Sequence, residues 1–396
     1  MFESIAVSTA AAVIFLISFL ISKKAHTFYK YLLVLYALSF AMSPMLILVT
    51  GEPNIKVVPS IYLLICLYLW IHPFRYLHVP EISAVGKTNI TYTFWGLITT
   101  IITIYFGFYA IKSILSTPLE IARNILTENS VLPINLLTYL GILVQSIYYI
   151  NLILFFLSII QYDDNRMSFL LFVGSFSNVF YVLCFFGRDG IVYWLFNFIV
   201  LFTAFSGNIQ KDKKSQLLKL SIVVISIILF MFVLITYFRF SANTTNGFQN
   251  MLTGVLSYFS QQLGNFSDAY KYDIRTGSLI PQIERFLQQL GFPKWHNDQY
   301  YGDITNLQYE SNVFGTFIKS FYFIIGKTNT IMLSIIAFFT ISAICLSSKS
   351  IGSFMIAYTI YQIPLCGLFY YRQSVSYFDL SYVVSIVPSI ILRRLF

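Results

Sequence analysis

Apolar runs of about 20 residues recur along almost the whole 396-residue chain. A helix of that length spans about 30 Å, the thickness of a bilayer's hydrocarbon core. Such runs fall near 5–21, 30–49, 57–72, 89–111, 134–160, 168–186, 190–206, 217–238, 328–346, 351–370 and 377–392, predicting about eleven transmembrane helices. Within lipid, every backbone N–H and C=O must be bonded inside a helix or a closed barrel. The runs lack the strict alternation and frequent turns of a barrel. The chain therefore reads as an all-α polytopic membrane protein, a single bundle rather than several soluble domains. Charged residues make up only 10% of it, against about a quarter in soluble domains. Mean hydropathy is +0.74.

The net charge of +9 does not point to nucleic acid. Its excess sits in short loops, where basic residues set topology. Lys23, Lys24 and Lys30 follow the first run, and Arg75 and Lys87 the third. Arg166 follows the fifth, Lys211, Lys213, Lys214 and Lys219 the seventh, and Lys349 the ninth. With Arg393 and Arg394 they all fall on one side, expected to be the cytoplasm. The N-terminus is then expected outside and the C-terminus inside. The first run lacks a basic n-region and a cleavage site, and is expected to stay as an anchor. Cys66, Cys184, Cys345 and Cys366 all lie in apolar runs, so no disulfide framework is indicated.

One long segment, Arg239–Lys327, is not a span. It divides the chain into eight spans over 1–238, an extracytoplasmic loop over 239–327 and three spans over 328–396. Loops this long carry function more often than they merely connect. Phe248, Met251, Val255, Phe259, Leu263 and Phe266 recur at helical spacing, predicting one amphipathic helix over 248–270. Pro281 and Gly291 bracket a second, short helix. In 311–326, Val313, Phe317, Phe321 and Ile324 form a stripe with Lys319 and Ser320 opposite. A twelfth span there would move Lys349, Arg393 and Arg394 to the wrong side. An interfacial or re-entrant helix at the outer face is the expectation.

The residues that carry chemistry cluster around this loop. Gly187-Arg188-Asp189-Gly190 joins two spans with almost no linker, and its arginine is outside, against the topological bias. An arginine near hydrocarbon is costly, by about 2.5–3.5 kcal/mol at a span centre and less near an end. Arg239 and Arg372 stand at the outer ends of two other spans. Each alone is an ordinary interface anchor. Three together suit a pyrophosphate, because a guanidinium binds phosphate bidentately and never loses its charge. They would stabilise the charge that grows on a departing pyrophosphate. The loop adds Arg275, Arg285, Glu310 and His296, the one histidine on the outer side. His296 is placed as a general base or a sugar-hydroxyl contact, against the plainer reading of a solvated loop histidine. Trp295, Tyr300, Tyr301 and Tyr309 suit sugar stacking or interface anchoring.

Gly326-Lys327-Thr328 resembles the tail of a phosphate-binding loop, but lacks the upstream glycine and the strand. Asp163-Asp164-Asn165 lies in a short cytoplasmic turn and reads as a solvated turn. No HExxH, Cys/His cluster or Gly-x-Ser-x-Gly occurs.

Spans of this number, a large late outer loop, Gly187-Arg188-Asp189-Gly190 and Asn312-Val313-Phe314-Gly315-Thr316-Phe317 together resemble the O-antigen (oligosaccharide repeat-unit) polymerases. The likeness covers the whole chain in topology and only these short elements in residues. Two features depart from it: Phe186-Gly187 precedes the arginine, and Phe323-Ile324-Ile325-Gly326 lacks an acidic residue before its glycine. The resemblance implies an all-helical, GT-C-like glycosyltransferase bundle in the bacterial plasma membrane. It implies that undecaprenyl-pyrophosphate-linked oligosaccharides are joined at the outer face, with Arg188 and Asn312 in the site. Neither cofactor nor metal is expected. The expected partners are the lipid-linked oligosaccharide, membrane lipids, a chain-length regulator and export components, with no nucleic acid. A ligase that moves finished polymer to an acceptor, and a flippase or transporter, are the alternatives.

Overall fold

A computed structural model describes residues 1–22, 26–51, 54–82, 90–116, 131–162, 164–241, 247–271, 293 and 315–369. All regular structure among them is helical. Helix α1 covers Phe2–Ile21, α2 Thr27–Thr50 and α3 Val57–Ile71, which a 3-10 turn extends over His72–Tyr76. Then come α4 (Ile90–Ser116), α5 (Leu136–Ser146), α6 (Tyr148–Gln161), α7 (Asn165–Gly174) and α8 (Ser177–Leu183). Next are α9 (Asp189–Phe205), α10 (Lys211–Ser241), α11 (Gly247–Ser260) and α12 (Gln262–Tyr270). Helices α13 (Thr316–Leu346) and α14 (Ile351–Cys366) complete the described elements.

A helix lies at every expected span except 377–392, which falls outside the described residues. Among the described residues, seven helices are long and apolar enough to cross a membrane, with α7–α8 taken as one, or eight if the α5–α6 pair, bent by 61°, is one span. Helices α9 and α14 are apolar but shorter. Helix α4 exposes Phe94, Leu97, Ile101, Ile104 and Phe108, and α10 exposes Ile222, Val223, Ile227, Phe230 and Val233. Apolar stripes of that extent are not sustained in water and suit acyl chains. The four cysteines are buried and form no disulfide.

The chain divides into two compact units, chiefly Met1–His78 with Thr253–Val383, and Val79–Leu252. In the Val79–Leu252 unit, α4 packs on α7 and α8 through small and hydroxyl residues. Thr100 Oγ1 donates to Leu170 O at 2.8 Å, and Thr103 Oγ1 to Gly174 O at 3.3 Å. This is how helices associate in lipid: small side chains let backbones approach, and hydroxyls bond across. Asp164 caps α7 by accepting from Arg166 N and Met167 N. Asp164 therefore serves as a helix cap, in keeping with the turn reading of Asp163-Asp164-Asn165. The α5–α6 bend falls at Ile147, and Ser146 Oγ bonds Leu143 O beside the break.

In the other unit, the predicted amphipathic helix over 248–270 is two helices, broken at Gln261 between α11 and α12. Ser39 Oγ donates to Phe259 O at 2.7 Å and Ser43 Oγ to Ser260 O at 2.6 Å. These serines of α2 satisfy carbonyls that the break would leave orphaned. Helix α12 then climbs past α2 to Lys56 N, which donates to Ser267 Oγ. Gln262, Leu263, Phe266 and Ser267 are buried. The helical period holds, and its second part, α12, packs against α2 and α3.

Helix α13 is two limbs joined at Gly326, whose φ of 78° and ψ of 174° only glycine adopts without strain. Tyr62 Oη donates to Lys327 O beside this break, at 2.6 Å. Trp70, eight positions further along α3, packs on Phe317 and Phe321 of the first limb and donates to Ser334 Oγ of the second. The first limb thus rises along α3 and the second runs back down it. Over its described part, 315–326 is thus a helical limb doubled back along the second limb of α13. The expected polar side is corrected. Lys319 is buried, at 4% exposure, with Ile318, Tyr322 and Ile325. A limb enclosed by other helices has no outer face on which to display a lysine.

Candidate functional site

The Arg188 turn is built by the end of α8. Phe185 N bonds Val182 O, Phe186 N bonds Leu183 O and Gly187 N returns to Val182 O at 3.0 Å. The left-handed conformation that ends a helix falls here on Phe186, at φ 52°, a position that normally favours glycine. Holding a phenylalanine there costs on the order of 1–3 kcal/mol. A side chain on Gly187 would press on Val182 Cγ1 at 2.5 Å, and one on Gly190 on Asn178 O at 2.9 Å. Both glycines are required by space. Asp189 opens α9, where an acidic residue suits the positive end of the helix.

This turn aims Arg188 inward. The residue is only 5% exposed. Its Nη1 donates to Thr236 Oγ1 at 2.8 Å, and its guanidinium lies over the Phe232 ring at 5.5 Å. Thr236 Oγ1 in turn donates to Phe232 O at 2.6 Å. Both partners are on α10. Thr236 precedes Arg239 by three residues, so the two positions are neighbours on one helix face. Arg188 therefore reaches the last turns of the helix on which Arg239 stands. Thr236 and Phe232 were not singled out in the sequence. The available signal was a threonine one turn before an arginine at the end of an apolar run.

The other unit brings a different set of chain breaks together. Gly315 N donates to Phe369 O at 2.9 Å, and Phe317 N to Gly367 O at 2.8 Å. The first N–H groups of α13 are thereby satisfied by the chain leaving α14. Phe369 also packs on Tyr258 and Phe259, beside the α11–α12 break. Three helix ends thus meet among Ser39, Gln262, Gly315 and Gly367. The stem of Lys319 lies across Gly315, where any side chain would collide with it. Irregular backbone inside a bundle occurs where it is enclosed by protein or lines a cavity.

Gly315 closes the segment that carries Asn312, and Phe369 begins the one that carries Arg372; their described ends are hydrogen-bonded. Asn312 and Arg372 themselves lie outside the described residues, as do His296, Arg275, Arg285, Glu310, Trp295 and Tyr300. So does the short helix expected between Pro281 and Gly291. No family model, curated protein or solved structure matches the chain.

Proposed function

We propose that this protein polymerises polyprenyl-pyrophosphate-linked oligosaccharide units at the outer face of a bacterial plasma membrane, as an eleven-span, GT-C-like bundle. The observation that carries the proposal is the buried guanidinium of Arg188, set by a strained turn against the end of α10. A guanidinium held there keeps its charge and offers phosphate a planar donor fork. In the proposed step, a sugar hydroxyl of an incoming lipid-linked unit attacks the anomeric carbon of the growing chain. The bond from that carbon to the pyrophosphate oxygen breaks, and undecaprenyl pyrophosphate leaves with the electron pair. The hydroxyl proton passes to a base, for which His296 is the candidate. Arg188, Arg239 and Arg372 hold the pyrophosphate, while Arg275, Arg285, Glu310, Asn312, Trp295 and Tyr300 contact glycan. No metal takes part.

A transporter reading has one observation in its favour. Broken helices inside a bundle also build substrate sites in transporters. Deletion in the native host, followed by a polysaccharide gel, separates the readings. The expected result is a single added repeat unit in place of a ladder. Lipid-linked units confined to the inner leaflet would mean a flippase, and finished polymer stranded on carrier lipid would mean a ligase.

A further inference from the structure

The Met1–His78 and Thr253–Val383 unit contains an open cavity of about 840 Å³, lined by Ser18, Ser22, His26, Tyr29, Tyr68, His72, Arg75, Tyr76 and His78, with Ile21 and Leu346. These residues come from the end of α1, the start of α2, the end of α3 with its 3-10 turn, and the end of α13. All four helix ends are on the side of Lys30 and Lys349, which the charge distribution assigns to the cytoplasm. The polymerase reading makes no use of this cavity.

Its polar wall combines an arginine, three imidazoles and hydroxyl groups. Arg75 Nη1 sits 3.0 Å from His72 Nε2, and Tyr29 Oη 3.4 Å from His72 Nδ1. The Arg75 guanidinium lies 5.0 Å from the centre of the Tyr76 ring. The His26 and His78 rings are 5.2 Å apart, and His78 Nδ1 is 3.1 Å from Tyr76 O. No carboxylate is among the described lining residues. The histidines do not converge as a metal site: no group of three ligating side chains among the described residues is arranged to hold a metal ion. Partial burial, then the His78 imidazole and Lys30, hold His26 below the usual histidine range. An arriving anion would relieve that repulsion.

We infer that this cavity binds a phosphate group at the cytoplasmic end of the bundle, with Arg75 as its fixed charge and His26, Tyr29 and His78 as donors. Arginine offers a planar donor fork matched to phosphate, and the imidazoles add donors as they protonate. The exposed Ile21 and Leu346 at the rim give an apolar border, so an anionic phospholipid headgroup and a free phosphate share the required chemistry.

The test uses the full-length protein purified in detergent, probed separately with dipalmitoyl phosphatidic acid by native mass spectrometry and with inorganic phosphate by calorimetry. Retention of phosphatidic acid over phosphatidylcholine supports the site with a headgroup as its source. Heat from phosphate alone supports it with a free anion as its source. In either case R75Q is expected to weaken binding roughly tenfold or more, and R75K to keep most of it. If R75Q does not yield folded protein, H26A is read instead, since His26 is exposed and its loss removes a donor without opening the core. Binding of neither probe, or unchanged binding in R75Q and H26A, overturns the assignment.

Discussion

Arg188→Ala is expected to abolish polymer in the deletion host while the protein still inserts at normal levels. A preorganised donor aimed at developing charge is worth about 2.7–4 kcal/mol, a hundredfold or more in rate. Arg188→Lys keeps the charge but loses the planar fork, and is expected to restore a partial ladder. Thr236→Val removes the oxygen that accepts from Arg188 Nη1. It is expected to lower polymer roughly tenfold, since a hydrogen bond to a charged group is worth about 1.5–3 kcal/mol. The readouts are a polysaccharide gel and an immunoblot of membranes. A normal ladder from Arg188→Ala would remove this arginine from the site.

The largest expected effect on stability is at Gly174. A side chain there would overlap Thr99 Oγ1 and lie 2.8 Å from Thr99 Cβ, at the closest approach of α4 and α7. The backbone carbonyl of Gly174 also accepts from Thr103. Gly174→Leu must push the two helices apart and break these hydroxyl contacts. Overpacking costs about 1–3 kcal/mol in soluble cores. Here no rearrangement of one long flexible side chain relieves it, so the upper end of that range is expected. Thermal unfolding in detergent, followed by size-exclusion fluorescence, should show an early loss of monodisperse protein. Gly207→Leu is the control: nothing lies within 4 Å of a side chain at that position, and no shift is expected.

Hydropathy made the helical bundle legible, because a run of about 20 apolar residues has few other ways to satisfy its backbone. The Arg188 turn was legible for a similar reason: a buried charge breaks the pattern around it. What the sequence did not reveal was depth. The spacing of Phe259, Leu263 and Phe266 is the same in a surface helix and in one wedged against Ser39 and Ser43. Only the break at Gln261 and the serine caps distinguish them, and both depend on residues more than 200 positions away in the chain. Lys319 misled for the same reason. A lysine on a helix reads as exposed, yet here the limb that carries it is enclosed by α3, α14 and its own return past Gly326. The cavity at His26, His72 and His78 joins loops that are far apart in sequence, so no local motif announces it.

The most direct measurement is reconstitution. Lipid-linked repeat units extracted from the deletion strain are supplied to the purified protein in proteoliposomes, and products are followed by gel and by released undecaprenyl pyrophosphate. A ladder of lengths, with one pyrophosphate carrier released per bond and none from Arg188→Ala, is the expected result. Units that cross the bilayer but stay single, with no carrier released, would contradict it.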